Sequence, residues 1–141
     1  MLLVDTNVIV DIWDHDPVWA SWSVSQMTRL HVTHSMHINV IVYAELSRFF
    51  STPSELDKNI ASLKLGVEYI PREAAFEAGK AFLKYRKQGG TKTNVLPDFF
   101  IGAHAAVLGA PLLTRDARRY ATYFPTVRLI TPPLSAFLPP F

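Results

Sequence analysis

Short, wholly apolar runs alternate with amphipathic helical stretches along this chain, and that alternation constrains its fold more than any other feature. Leu2-Leu3-Val4 has no polar position, so a strand there is covered on both faces. A helix over 6–13 follows, with Val8, Ile9 and Ile12 as its apolar positions. A second helix is predicted from Pro17, a favourable first-turn residue, to about Leu30. Residues 36–40 read as a strand that leads into a helix over 41–50. Ser54 is placed to cap a helix over 55–65, which Gly66 stops. A strand over 67–70 precedes a long helix over 72–88, ended by Gly89-Gly90. The almost wholly apolar helix over 98–108 closes at Gly109; Leu112-Leu113 is a strand, 117–123 a short helix and 127–130 a last strand. Such an order specifies an α/β fold, a parallel sheet with helices on both faces.

At 141 residues the chain fits one domain, 1–141, and no repeat or linker divides it. Residues 131–141, TPPLSAFLPPF, are a proline-rich apolar tail, expected to lie as an extended arm on the body or on a partner. Hydrophobic residues make up 49% and charged ones 18%, which excludes disorder. The absence of cysteine excludes a disulfide scaffold, a thiol nucleophile and cysteine-held zinc or iron, and favours a reducing cytoplasm. No targeting segment is expected, since the N-terminus lacks a basic start and Asp5 interrupts its apolar run. No uncharged apolar run reaches the roughly 18 residues that cross a bilayer, so no membrane association is expected.

The net charge is only +2, but it is unevenly spread. Residues 1–28 carry Asp5, Asp11, Asp14 and Asp16 and no Lys or Arg. Residues 80–92 carry Lys80, Lys84, Arg86, Lys87 and Lys92 and no acid, and Arg115, Arg118 and Arg119 surround a single one. An acidic region beside basic ones suits a metal site inside a phosphate-binding rim, with Lys84, Arg86, Lys87, Lys92, Arg115, Arg118 and Arg119 as the candidate phosphate contacts. Solvated helix faces account for the basic runs equally well.

Four acids are expected to share one edge of the sheet, because ligands of an open parallel sheet bind beyond the carboxyl ends of its strands. Asp5 directly follows the first strand, and Asp116 lies just past Leu112-Leu113. Glu45 sits in the second turn of its helix and leans back toward that helix's N-terminus, on the same edge. Asp98 follows Pro97 at the start of a helix that runs down into the strand at 112. Structural roles compete: Asp5 and Asp116 can cap helices, and Asp98 can complement a helix dipole. Glu45 resists such an account, since Ile41, Val42 and Phe49 place it on an apolar stripe where carboxylates need partners. Asp98 heads a similar helix, whose small residues Gly102, Ala105 and Ala106 are expected to let it approach the sheet closely.

Clustered carboxylates repel, by about 3 kcal/mol for two charges ~5 Å apart at an effective dielectric of ~20. Arg115 is the one basic residue that accompanies them in sequence, so a hard divalent cation, Mg²⁺ or Mn²⁺, is the better neutraliser. Such an ion polarises a phosphoryl oxygen and makes hydroxide available near neutral pH, which points to phosphodiester hydrolysis.

These motifs resemble the PIN-domain ribonucleases. Asp5-Thr6-Asn7 is similar to the family's opening element, and Ile41-Val42-Tyr43-Ala44-Glu45-Leu46 to its helix bearing the second acid. The run from Pro97 through Asp98 to Ala105 resembles its third motif, and Leu113-Thr114-Arg115-Asp116 its fourth. Order and spacing match along essentially the whole chain, and the length matches the VapC-type toxins of type II toxin–antitoxin pairs. The resemblance implies a five-stranded parallel sheet of order 3-2-1-4-5, with Asp5 and Asp116 flanking the reversal of strand order. It further implies Mg²⁺ or Mn²⁺ dependence, RNA as substrate, and a homodimer inhibited by an antitoxin whose C-terminal segment covers the active-site groove. Asp5, Asp98 and Asp116 carry over as metal ligands, and Glu45 as a ligand or as the group orienting a metal-bound water. Thr6, Asn7 and Thr114 carry over as groups that hold the acids by hydrogen bonds. The proline-rich tail departs from the family pattern.

Other signals carry less. His31, His34 and His37 recur every three residues but straddle a loop and a strand, which does not gather three rings around zinc. His104 lies off the face of Asp98 and is expected to pack or to meet an interface; Trp19 and Trp22 share a helix face with Gln26 and are expected in the core, with a partner groove as the second reading. A haloacid-dehalogenase-type phosphatase needs a second acid where Asn7 stands, and no glycine-rich fingerprint supports a nucleotide cofactor. Two alternatives stay open: a PIN nuclease of RNA processing or one acting on DNA, and a catalytically silent RNA-binding module.

Overall fold

The computed structural model describes residues 1–133, so most of the proline-rich tail lies outside the described residues. The central strand β1 (Leu2–Val4) pairs in parallel with β2 (Met36–Asn39) on one side and β4 (Leu112–Leu113) on the other. Next to these lie β3 (Gly66–Glu68) and β5 (Leu129–Ile130), giving a five-stranded parallel sheet of order β3-β2-β1-β4-β5. Leu3 faces His37 on one neighbour and Leu112 on the other, which sets the register of the centre. Leu2, Leu3 and Val4 are all buried, as a strand covered on both faces requires. The strand order reverses between β1 and β4, and the chain leaves both strands toward the same edge.

Among the described residues seven α-helices connect and cover the strands: α1 (Thr6–Trp13), α2 (Ala20–Leu30), α3 (Val40–Leu46), α4 (Pro53–Ser62), α5 (Arg72–Lys87), α6 (Leu96–Leu108) and α7 (Arg118–Tyr123). Several boundaries differ from the sequence expectation for local reasons. Helix α2 begins at Ala20 rather than Pro17, because the Asp16 carboxylate accepts from both Val18 N and Trp19 N and holds those residues in a turn. Strand β2 stops at Asn39, whose side chain accepts from Ile41 N and Val42 N and so starts α3 one residue early. That helix ends at Leu46 and tightens into a 3-10 turn over Ser47–Phe49. The cap of α4 is Thr52, not Ser54, with Pro53 at the first helical position.

Gly66 does not stop α4; Lys64 does, with a left-handed φ of 57°. Gly66 opens β3, where a Cβ would sit 2.4 Å from the His37 ring, so the close approach of β2 and β3 requires glycine. Helix α6 starts at Leu96 and closes at Gly109 in the left-handed conformation, with φ 64°. The space at Gly102 is taken by the Phe124 ring, 2.3 Å from where a Cβ would be, rather than by the sheet. Strand β5 is shorter than 127–130, and β3 ends at Glu68. Among the described residues no helix is long and apolar enough to cross a membrane.

Candidate active site

Asp5, Glu45, Asp98 and Asp116 line one cleft of about 280 Å³, together with Thr6, Asn7 and Tyr120. Each acid arrives from a different element at the carboxyl edge of the sheet. Asp5 ends β1 and caps α1, its Oδ1 accepting from Thr6 N at 2.7 Å, so the capping role and the cleft position coincide. Glu45 comes from α3, Asp98 from the first turn of α6, and Asp116 from the turn between β4 and α7.

A hydrogen-bond frame orients these acids. Thr6 Oγ1 donates to Glu45 Oε1 at 2.6 Å, tying α1 to α3. Thr114 Oγ1 donates to Asp5 Oδ2 at 2.7 Å and accepts from Asp116 N at 3.0 Å, so one buried hydroxyl serves two of the acids. Asn7 Oδ1 accepts from Arg115 N at 3.1 Å, and its amide lies 3.4 Å from both Asp5 Oδ2 and Thr114 Oγ1. The three polar residues singled out from the sequence therefore all touch the acids or the turn that carries Asp116.

Electrostatics mark the same place. Burial pushes the Asp5 carboxyl from 3.8 up to about 7, with hydrogen bonds from Thr114 and Tyr120 opposing and the Asp98 charge adding to the rise. Burial also raises Asp98, against the stabilising charge of Arg119, and Glu45 and Asp116 push it further up.

Sequence reasoning missed three residues here. Tyr120 is buried and donates to Asp5 Oδ2 at 2.9 Å, with Asp98 Oδ1 at 3.5 Å. Burial and both carboxylates push its phenol well above the usual range, so it stays a donor. Asp11 is buried on α1 and takes Arg115 in a two-pronged ion pair, with Ser23 Oγ donating as well. Arg115 thus pairs with Asp11 rather than with the four acids it accompanies in sequence; its guanidinium also lies over the Trp19 ring, 5.3 Å from the centroid. Arg119, counted only as a rim residue, is the cation that pairs with Asp98. The signals were present: Asp11 lies one turn from Asn7 on a helix of apolar neighbours, and Tyr120 lies four residues past Asp116.

The histidine repeat is dispersed, as its spacing indicated. His31 Nε2 meets Leu63 O, His34 meets the Thr33 hydroxyl, and His37 Nδ1 lies 3.0 Å from Glu68. His104 is buried and packs as expected, with Asn39 Nδ2 donating to its Nδ1 at 3.2 Å; burial lowers its pKa, which keeps it an acceptor.

The donor chemistry fits a hard divalent cation: four carboxylates on one cleft, two of them raised by burial and by neighbouring acids. Among the described residues no three acids or histidines are drawn tightly enough together to hold an ion as they stand. Arg119 on Asp98 and the two hydroxyls on Asp5 Oδ2 occupy the oxygens an ion would take. Of the candidate phosphate contacts, Arg115 borders the cleft, while Arg115, Arg118 and Arg119 line an adjoining groove and Lys84 a hollow beyond it. Arg86, Lys87 and Lys92 line none of the three; Arg86 lies over the Phe82 ring instead.

An α/β domain with a carboxylate cleft at the reversal of strand order defines the class. The chain belongs to the PIN-domain family, whose model matches residues 2–125. Its fold is similar to that of VapBC2 from Rickettsia felis bound to a promoter DNA fragment, with a TM-score of 0.68 and 18% identity over 92% of this chain and 97% of that one. VapBC-1 from nontypeable Haemophilus influenzae gives a TM-score of 0.68 at 20% identity, covering 92% of this chain and 96% of its own. DNA-bound VapBC from Salmonella typhimurium gives 0.66 at 21% identity, covering 93% and 98%. No curated protein sequence matches the chain.

Proposed function

We propose that this chain is a metal-dependent endoribonuclease of the VapC toxin type, hydrolysing RNA phosphodiester bonds and neutralised by a cognate antitoxin. The observation that carries this reading is the meeting of Asp5, Glu45, Asp98 and Asp116 in one cleft, framed by Thr6, Asn7 and Thr114. Asp5, Asp98 and Asp116 would hold Mg²⁺ or Mn²⁺, with Glu45 as a further ligand or as the group that orients water. When bound, such an ion polarises the phosphodiester and makes water acidic enough to attack it near neutral pH. The protein's own part is to keep Asp5 and Glu45 fixed through the Thr114 and Thr6 hydroxyls, while Arg119 beside Asp98 would offer a phosphate contact at the mouth of the cleft.

The antitoxin, a homodimeric assembly and a cytoplasmic setting belong to the same proposal, supported by the fold shared with VapBC complexes over nearly the full length. Purified protein incubated with RNA tests the chemistry: cleavage with Mn²⁺ or Mg²⁺, none with chelator, and loss by orders of magnitude in Asp98→Asn. Metal-independent cleavage, or none of any RNA, overturns it. Expression of the chain alone should arrest growth, and co-expression of a small adjacent gene product should restore it. Normal growth with soluble, intact protein removes the toxin reading and leaves a PIN nuclease of RNA processing.

A further inference from the structure

The tips of Glu45 and Asp98 are held from outside their own helices, by Thr6 on α1 and by Arg119 and Tyr120 on α7. Those contacts do not set how α3 stands against α6. The two helices lie against each other. Among the described residues one side-chain hydrogen bond joins the start of α3 to α6, from Asn39 Nδ2 to His104 Nδ1 at 3.2 Å.

The place of this bond is specific. Asn39 precedes Glu45 by six residues, and His104 follows Asp98 by six. At ~1.5 Å per residue, each acid stands about 9 Å along its helix from the joint. The bond is a crosspiece at the foot of two helices whose other ends carry the acids.

Both partners are 1% exposed, and neither is the cheap choice for its position. An apolar side chain would fill the place of His104, in a helix as apolar as α6, without burying a polar ring. Asn39 engages its whole amide. Its Oδ1 accepts from Ile41 N and Val42 N, both at 3.1 Å, which caps α3. Only Nδ2 is left for His104, so the ring must accept at Nδ1 and carry its proton on Nε2. Burial keeps the ring neutral against the opposing pull of the Glu68 charge, as an accepting Nδ1 requires. Helix α3 has seven residues, too few to hold its direction without a cap. One amide thus starts the helix of Glu45 and ties it to the helix of Asp98.

We infer that Asn39 and His104 are positioning residues of the acid cleft, their hydrogen bond fixing the placement of Glu45 relative to Asp98. The inference deepens the nuclease reading, since it concerns the same acids, but its first readout needs neither metal nor RNA.

The test is NMR of the full chain with chelator present, isotope-labelled in its histidine rings and glutamate carboxyls. In wild type, His104 Nδ1 should resonate as a bare acceptor nitrogen and Nε2 as a protonated one. Asn39→Ser keeps a cap on α3 but cannot reach the ring, and His104→Phe keeps a ring but offers no acceptor. Each should shift the Glu45 carboxyl resonance, identified by its loss in Glu45→Gln. Asn39→Asp caps the helix and reverses the polarity of the bond. His104 should then carry its proton on Nδ1, and the Glu45 resonance should stay near its wild-type position. Ile60→Val, which loosens the core at α4, reports what general loosening does to that resonance.

Calorimetry reads the consequence: Asn39→Ser and His104→Phe should bind Mn²⁺ about tenfold more weakly than wild type, and Asn39→Asp nearly as well. If His104→Phe does not fold, Asn39→Ser carries both comparisons. A wild-type His104 protonated on Nδ1 overturns the inference, as does a Glu45 resonance that moves no further in the two variants than in Ile60→Val. Wild-type protein that binds no Mn²⁺, beside a Glu45 resonance that shifts as expected, removes the metal from the nuclease reading and keeps the joint. An unmoved resonance with undiminished Mn²⁺ binding removes the joint and keeps the metal.

Discussion

Arg115 grips Asp11 with two prongs, Nε to Oδ2 at 2.7 Å and Nη2 to Oδ1 at 2.8 Å. The pair fastens the turn that carries Thr114 and Asp116 to α1, one element away from the acids themselves. Asp11→Asn keeps the shape but leaves the guanidinium half-buried without its counter-charge. Breaking a fully buried pair costs ~3–5 kcal/mol, and the partial exposure of Arg115 reduces the expected loss to about 2 kcal/mol. Cleavage should fall as well, because Asp116 loses its anchor. Urea denaturation and a cleavage assay on the same sample check both; wild-type values in each would show that the turn holds itself.

Asp5 sets the pH response of the metal-free protein. Its carboxyl stands at about 7 in the folded chain against an ordinary 3.8, so the folded state binds that proton more tightly than the unfolded one. Its contribution to stability is complete below the unfolded value and is lost as pH climbs from about 4 through about 7. The shift corresponds to at most ~4 kcal/mol over that range. With chelator present, wild type should melt progressively lower as pH rises, and Asp5→Asn should show a flatter profile. A melting temperature independent of pH between these values would show that Asp5 ionises freely.

In the proposed metal site, Arg119 and a divalent ion would compete for Asp98. Replacing Arg119 by Gln removes a positive charge from the mouth of the cleft and leaves Asp98 without its ion pair. Mn²⁺ should then bind several-fold more tightly by calorimetry, since a nearby like charge no longer opposes it. RNA affinity should move the other way. Weaker Mn²⁺ binding in Arg119→Gln would mean that the arginine steadies Asp98 for the ion.

Tyr120→Phe removes a hydroxyl that Asp5 and Asp98 share while keeping the ring in the core. The lost hydrogen bond to a charged group costs about 1.5–3 kcal/mol where Asp5 is ionised, and little where it is protonated. The destabilisation should therefore be larger at pH 8 than at pH 5, measured with chelator. A uniform loss would assign Tyr120 a packing role alone.

The strands and the four acids were legible because each acid follows an apolar run or sits within one, where a carboxylate needs a reason. The sheet order came from the resemblance, since three-residue strands such as β1 carry no information about which neighbour they choose. Helix ends were less legible. Asn39 and Thr52 displace the expected starts because side-chain caps act over two or three residues, below the resolution of apolar periodicity. The partners of Asp11 and Arg119 stayed hidden for a different reason: which charges pair across 104 and 21 residues is decided by the fold, even where a buried acid such as Asp11 is signalled locally. Tyr120 reads as an ordinary core aromatic, and only its hydroxyl partners set it apart.

The bonds that secure Asp5 reach it from the far end of the chain, from Thr114 and Tyr120, and β1 finds its second neighbour only in β4. A growing polypeptide therefore carries its first acid long before it has the groups that hold it. Until Thr114 and Tyr120 have left the ribosome, the frame around Asp5 is incomplete. Long-range closure of this kind slows folding. For the ribonuclease proposed above, whose substrate would surround it at birth, that delay would be a form of timing.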